Sequence, residues 1–481
     1  MKKISLTTTL PYVNSDPHIG FALEIIQADI IARWYAQQGY DIFFNTGTDE
    51  HGVKIFRKAQ EEGKEVQVYV NEYAAKFDQL KQALNLSYNS FIRTTDPKHV
   101  AAAQEFWKQC LAHGDIYKKQ YSVKYCSGCE LEKTDSELDH GRCILHPNLV
   151  IENISEENYF FKFTKYQEPL LKLYTEYPEF VVPAHRLKEI KTFVEGGLQD
   201  FSISRLKEKM PWGVPVPDDE AQVMYVWFDA LVNYISCLGW PDKKFSDWWP
   251  SIQFAGKDNL RQQSAMWQAM LMSAEIAPSQ QIVIHGFITS GGQKMSKSLG
   301  NVIDPFSVVE KYGTDALRYF LARHVKPFED SDFTIERLHE VYSADLANGL
   351  GNLVSRVTNM LEKYCGGVFT RTQMLGSETL NAYTSSLKSY RFDEALATVW
   401  SLVDQANKLI DDTAPWKMAK EGKEAEIRPL LNELANRILD LNELLTPFMP
   451  ATVEKITNAF AQPVKKAEPL FPRLEDSQKG E

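Results

Sequence analysis

The first 46 residues constrain this chain more than any other stretch, because they change from a strand pattern to a helix pattern and back. Residues 4–10, ISLTTTL, are rich in β-branched side chains and predict a short buried strand. A loop with Pro11, Asn14, Ser15 and Asp16 follows. Asp16 suits a helix N-cap and Pro17 the first helical turn, after which Ile19, Leu23, Ile26, Ile30 and Trp34 recur at helical spacing as far as Gly39. Residues 41–46, DIFFNT, return to strand. Strand, helix and strand in this order predict the βαβ unit of a parallel sheet with a crevice at its strand ends. Helical stretches near 66–84 and 97–113 continue the layers.

The texture changes between 116 and 220, where a Cys/His cluster, the aromatics Tyr159, Phe160, Phe161 and Phe163, and the proline-punctuated MPWGVPVPDD read as an insertion. Strand-like VMYVWF, a helix after Asn259 and the apolar IVIHGFI then resume the α/β pattern, so the sheet is split in sequence. From about 335 onward the periodicity is helical: Leu396, Val399, Leu402, Val403, Ala406 and Ile410 mark one face, and 430–445 another. A chain of 481 residues holds about three domains, which agrees with this division. With 44% hydrophobic and 24% charged residues, wholesale disorder and a fibrous architecture are excluded. The most apolar window, 223–240, is interrupted by Asp229 and Asn233 and is shorter than the ~20 apolar residues of a membrane span. Thr7, Thr8 and Thr9 stand where an export signal would be apolar, so a cytoplasmic location is expected. Six cysteines are too few for a disulfide framework, and in a reducing compartment clustered cysteines more often hold metal. A formal charge of −11 excludes a uniformly basic surface but not a local basic groove.

Three constellations carry chemistry. Pro17-His18-Ile19-Gly20 opens the first crossover helix, where free N–H groups and the helix dipole attract anions. His18 would donate to a phosphate there, and Gly20 would let a planar base approach the backbone; taken alone, the tetrapeptide equally fits a surface or capping histidine. Lys294-Met295-Ser296-Lys297-Ser298, between Gly291-Gly292 and Gly300, sets two lysines on a Gly-flanked loop suited to ATP phosphates. A solvated charged turn is its plainer reading, and the pairing with the His-Ile-Gly helix in the same split sheet favours the nucleotide site. Cys126-x2-Cys129 and Cys143-x2-His146 make a closed set of three thiolates and one imidazole, the ligand set of a structural zinc. Cys110, Cys237 and Cys365 are isolated and read as ordinary buried thiols.

On these motifs the sequence resembles the class I aminoacyl-tRNA synthetases, and within them the methionyl-tRNA synthetases. LPYVNSDPHIG, NTGTDEHG, the Cys/His knuckle, GGLQDFSISR, WGVPVPDD, VMYVWFDAL, KMSKSLGN, DALRYF, GNLVSR and APWKMAK match family segments in order over nearly the whole chain. The resemblance implies a Rossmann-type α/β catalytic domain split by a zinc-bearing insertion and followed by an α-helical anticodon-binding bundle. Residues 1–115 and 221–325 would be the two halves of that domain, 116–220 the insertion, 326–345 a stem-contact linker, 346–467 the bundle and 468–481 a tail. It also implies activation of L-methionine by ATP with magnesium, followed by transfer to tRNA(Met), initiator and elongator. The amino-acid carboxylate is already a nucleophile at neutral pH, so the work left is alignment and charge stabilisation on phosphorus and departing pyrophosphate.

His18 and Lys297, with Lys294 secondary, are the expected catalytic residues. By resemblance Gly20, Glu24, Asp258 and the His285-Gly286 backbone complete the ATP site. Leu10, Tyr12, Asp49, Trp227, Ala230, Leu231, Tyr234, Asn259 and Gln263 would form the methionine pocket, Asp49 pairing with the ammonium and the aromatics walling a thioether. Asn352, Arg356, Pro415 and Trp416 match positions that read the CAU anticodon. Two departures stand out. Phe21 occupies the fourth position of His-Ile-Gly-His and cannot donate, and Asn259 and Gln263 replace an isoleucine and a histidine common near the side-chain pocket. The rival readings are another class I synthetase, for valine, isoleucine, leucine or cysteine, and a catalytically silent tRNA-binding paralogue. About a hundred residues between the sheet halves are too few for the large editing insertion of the aliphatic enzymes. No extra C-terminal tRNA-binding domain follows the bundle, so a monomer is expected.

Overall fold

Six parallel strands form the central sheet: β1 (Lys3–Thr8), β2 (Asp41–Thr48), β3 (Ser90–Arg93), β4 (Val181–Val182), β5 (Ile252–Gly256) and β6 (Gln281–His285). Their spatial order is β3-β2-β1-β5-β6-β4. This is the sheet of a computed structural model that describes residues 2–129, 131–133, 137–295 and 300–474. Register places Ile4 beside Ile42 and Leu6 beside Phe44. Leu6 and Phe44 are wholly buried, as expected of strands covered on both faces. The chain leaves β1 through helix α1 (Ile19–Gln37) toward β2, while β5 leads away to β6, so the strand order reverses between β1 and β5. Ligands of open α/β sheets bind in the crevice beyond the carboxyl ends of the strands at such a reversal.

Three local expectations change. The N-cap of α1 is His18, whose imidazole accepts from Gly20 N–H; Asp16 lies outside the helix and pairs with Lys76. VMYVWF is divided, with a strand over Asp219–Met224 and a short helix, α3 (Val226–Leu231), beginning at Val226. An apolar run of this length fits a buried strand or a buried helix equally, so periodicity could not separate them. The helix expected after Asn259 starts with the π-helical turn Gln262–Met266 before becoming regular over Trp267–Ser273.

Within 116–220, the long strands Ile116–Cys126 and Glu152–Phe161 pair antiparallel, with Ile116 beside Phe161. The same segment supplies β4, which pairs with β6 and closes one edge of the central sheet. Helix α2 (Pro97–Ala112) packs beside this region, burying Phe106 and Trp107.

The helical region is continuous with the sheet's core: Leu353, Val357 and Leu361 share one apolar cluster with α1 and β1. At the joint Arg318, fully buried, pairs with Asp29 of α1 at 2.7 Å and donates to the carbonyls of Phe448 (2.8 Å), Pro447 (2.9 Å) and Leu84 (3.1 Å). Burial alone would raise the Asp29 carboxyl, but Arg318 and Arg33 outweigh it and keep it ionised. Among the described residues no helix is long and apolar enough to cross a membrane.

Candidate active site

His18 stands at the mouth of the crevice with extended backbone, just before α1. Its Nδ1 accepts from Gly20 N–H at 3.1 Å, so that nitrogen carries no proton. Burial pushes the imidazole down to about 4, which keeps it neutral near pH 7. The one ring proton therefore sits on Nε2, as a donor. Gly20 has a local reason to lack a side chain: a Cβ there would lie 2.8 Å from His18 Cε1. Phe21 is not merely a missing donor, because its ring packs on His18 (centroids 4.7 Å apart) and edge-on against Phe77 (5.4 Å).

Glu24, one turn further along α1, is buried and fully engaged. One oxygen accepts from Thr9 N (2.7 Å) and Thr9 Oγ1 (2.6 Å), the other from His285 Nε2 (2.8 Å). The second nitrogen of His285 meets the Gly286 carbonyl at 2.7 Å. Carbonyl and carboxylate both accept, so both ring nitrogens must donate, and His285 is an imidazolium. Burial opposes that charge, but the Glu24 carboxylate and the Gly286 carbonyl outweigh it and raise the His285 pKa. Asp258 follows β5, exposed, and accepts from Asn259 Nδ2 at 3.3 Å.

The residues expected to line an amino-acid pocket begin where the loop after β1 meets the end of β2. Tyr12 bridges to Asp49, with Asp49 N donating to Pro11 O (2.9 Å) and Val13 N to Asp49 O (3.3 Å). Asp49 itself is buried. Across from it, α3 carries Trp227 and Ala230 three residues apart, both half-buried, and Tyr234 follows one turn later. Gln263 Nε2 donates to the Tyr234 hydroxyl at 2.7 Å, both groups buried. Burial, then the charge of Glu24, holds the Tyr234 phenol far above its usual range. Leu10 is half-buried, whereas Leu231 packs into the core beside Phe228.

The second motif leaves the sheet on a hairpin, Ile288–Ser290 with Gln293–Lys294, turned by Gly291 and Gly292 at positive φ (61° and 73°). Two glycines at these angles make the tight turn that matches strand twist. Asp332 fixes it by accepting from Gly292 N (2.8 Å) and Thr289 Oγ1 (2.9 Å). Lys297 lies outside the described residues. Just beyond, Ile303 O accepts from Ile19 N at 3.0 Å, so the segment after the lysine loop is bonded to the first turn of α1.

The metal-ligand candidates converge. The donor atoms of Cys126, Cys129, Cys143 and His146 lie within 4.8 Å of one another, with Cys129 Sγ 3.4 Å from Cys143 Sγ and 3.2 Å from His146 Nδ1. These spacings and this sulfur-rich set fit one tetrahedral ion of zinc type. Lys54 ties the knuckle to the crevice, donating to Gly128 O at 2.8 Å while lying 5.9 Å from the Tyr12 ring. His140 is exposed and outside the cluster.

Far along the chain, the Arg356 guanidinium sits 5.3 Å from the Trp416 ring and pairs with Asp411 at 2.7 Å. Asn352 is exposed one turn before Arg356, and Pro415 opens the helix that carries Trp416. Trp416 is 38% exposed and is therefore no core residue.

Several residues around the crevice escaped the sequence reading. Thr9 holds Glu24, and Arg205, buried, lies 4.3 Å from the Tyr225 ring while donating to Ser202 and Ser204. His51, His99 and Asp229 form a buried cluster. The available signal was a charged residue inside an apolar run, such as Asp229 between Phe228 and Ala230.

Known proteins share this arrangement. The family profile described as tRNA synthetases class I (M) matches residues 4–148 and 129–358. A methionine–tRNA ligase of Synechocystis sp. is 41% identical over 94% of this chain and 88% of its own length. That of Thermotoga maritima is 42% identical over 94% and 74%. The methionyl-tRNA synthetase of Mycobacterium tuberculosis, solved with methionyl-adenylate, superposes with a TM-score of 0.91 at 34% identity, covering 98% of this chain and 100% of that one. Sequence and fold agree over 94% and 98% of this chain, and on both grounds the chain belongs to the methionyl-tRNA synthetase family of the class I tRNA synthetases.

Proposed function

We propose that this chain activates L-methionine with ATP, forming methionyl-adenylate and pyrophosphate, and then transfers methionine to the 3′-terminal ribose of tRNA(Met), initiator and elongator alike. The observation that carries this reading is the Ile19 N to Ile303 O bond, which ties the segment that follows the lysine motif to the first turn of the His-Ile-Gly helix, beside the crevice over the strand ends. ATP enters as its magnesium complex. The methionine ammonium pairs with Asp49, its side chain lies against Leu10, Tyr12, Trp227, Ala230, Leu231 and Tyr234, and Asn259 and Gln263 border the pocket. The methionine carboxylate attacks the α-phosphorus, and the bond to the departing pyrophosphate breaks. His18 Nε2–H and the ammonium groups of Lys294 and Lys297 face charge that grows during this displacement, so they act mainly on the transition state. Gly20, Asp258 and the His285-Gly286 backbone hold the nucleoside, with Glu24 acting behind His285. Methionine-dependent ATP–pyrophosphate exchange, followed by charging of tRNA(Met), tests the reading; exchange driven by valine, isoleucine, leucine or cysteine instead would reject it.

The imidazolium of His285 gives a pH signature. Its folded pKa is raised above the ordinary value near 6.5, so its contribution is complete below 6.5 and is lost as pH rises through the folded value. ATP KM is therefore expected to climb on the alkaline side. In Glu24→Gln, which lacks the stabilising carboxylate, the climb should begin at lower pH. Superimposable KM profiles for the two proteins would remove His285 from the ATP site.

Cys126, Cys129, Cys143 and His146 hold one structural zinc in this reading, and its role is to fold the tip of the insertion. One zinc per chain is expected by metal analysis. Cys143→Ser should lose it and loosen the insertion while both sheet halves stay folded; full occupancy in that variant would mean other ligands. Asn352, Arg356, Pro415 and Trp416 read the anticodon.

A further inference from the structure

Asp229, His51 and His99 form a buried polar cluster beside the amino-acid half of the crevice. Asp229 is wholly buried, with Oδ2 accepting from His51 Nδ1 at 2.6 Å and Oδ1 from His99 Nε2 at 2.8 Å. His99 Nδ1 meets Ser236 Oγ at 2.9 Å. Burial alone would raise the Asp229 carboxyl, but the two imidazoles outweigh it and hold it at about 2. A carboxylate only accepts, so the protons lie on His51 Nδ1 and His99 Nε2. Its surroundings contain no lysine or arginine in hydrogen-bond contact among the described residues, and the pair of histidines does all the compensating.

The cluster joins three separate pieces of chain. His51 stands two residues after Asp49, on the turn that leaves β2; His99 belongs to α2; Asp229 belongs to α3. Within α3, Asp229 follows Trp227 by two residues, which at about 100° per residue puts them on opposite sides of the helix. A helix of six residues has no stability of its own, so its rotation and height are set by what holds its back. Phe228 supplies apolar packing, which resists separation but only weakly resists rotation, whereas two directional hydrogen bonds to one carboxylate resist both. The turn carrying Asp49 is held at the same time, since Trp212 Nε1 donates to Glu50 O at 2.6 Å and Trp212 lies edge-on to His51.

We propose that Asp229 is a positioning residue for methionine: through His51 and His99 it fixes the wall of Trp227 and Tyr234 relative to the Asp49 carboxylate. This rests on the reading that Asp49 and Trp227 contact the substrate. An ammonium held at one end and a side chain held at the other need a set separation, and an error of about 1 Å in such alignment is costly. The nucleotide half is held by other residues, Thr9, Glu24 and His285, so its affinity should not depend on Asp229.

The test is tRNA-free pyrophosphate exchange with Asp229→Asn, His99→Ala, His99→Gln and, as a control, Asp49→Asn, each checked by a circular-dichroism melt. Methionine KM is expected to rise about tenfold or more in Asp229→Asn and several-fold in His99→Ala, with ATP KM within about twofold of wild type. His99→Gln, whose amide N–H can still donate to Asp229, should restore most of the loss. If Asp229→Asn does not fold, the His99 pair gives the same decision. Raised methionine KM in Asp49→Asn with unchanged methionine KM in Asp229→Asn and His99→Ala overturns the positioning role. So does an equal rise in both KM values, which marks a general loss of structure. An unchanged methionine KM in Asp49→Asn instead removes the assumed substrate contact, and the proposal falls with it.

Discussion

His18→Ala is expected to lower methionine-dependent ATP–pyrophosphate exchange by about 100-fold or more, while methionine KM barely changes. The size follows from when the contact matters. His18 is neutral and its proton is on Nε2, because Nδ1 accepts from Gly20 N–H. A single oriented donor facing phosphate gains strength as charge accumulates on the α-phosphorus and the departing pyrophosphate, and donors of this kind are worth about 10²–10³ in rate. Loss of the helix cap accompanies the substitution and costs about 1 kcal/mol of stability, visible in a melt but too small to account for the rate. Phe21 bears on the same donor. Its ring packs on His18 and is itself braced by Phe77, so this chain keeps His18 in place by ring packing at the position where the family pattern has a second histidine. Near-normal exchange by His18→Ala would dismiss His18 as a catalytic residue and leave it as a cap alone.

The second large effect separates activation from tRNA reading. Trp416→Ala should leave pyrophosphate exchange untouched and reduce charging of tRNA(Met) by roughly 5- to 150-fold, the loss of about 1–3 kcal/mol for one base stacked on an aromatic ring. The ring is well placed for it: 38% exposed, at the start of a short helix, with the Arg356 guanidinium 5.3 Å away and itself oriented by Asp411. A guanidinium and an indole side by side offer both a stacking face and polar edge contacts to a splayed base. An exposed ring contributes little to folding, so the melting temperature should stay within a degree or two of wild type. A marked drop in melting temperature with both activities falling together would make Trp416 a structural aromatic and would move the anticodon site elsewhere.

Local elements were legible in the sequence to the extent that their causes are local. β-Branched residues marked β1, the return DIFFNT marked β2, and the spacing of Ile19, Leu23, Ile26 and Ile30 marked α1, because each depends on residues within a few positions. The convergence of Cys126, Cys129, Cys143 and His146 was legible too, since two Cys/His turns of this kind are marked by spacing alone. Less local features were read wrongly or not at all. Asp16 was a reasonable cap until His18 supplied the bond to Gly20 N–H, and VMYVWF has one apolar pattern for two conformations. Gln263 and Tyr234 were both named for one pocket, but the hydrogen bond between them was not legible.

By itself, then, the sequence determined β1, β2 and β6, the first crossover helix, the helical C-terminal region, the Cys/His knuckle and the two motifs that place this chain among its relatives. Tertiary structure alone decided which charges meet. Glu24 and His285 are 261 positions apart, His51 and Asp229 178, and Asp29 and Arg318 are brought together across the joint between sheet and bundle. A buried charge is tolerated only with its partner in hydrogen-bond range, and that partner is chosen by where strand order and helix packing bring distant segments, which no pattern of neighbouring residues records.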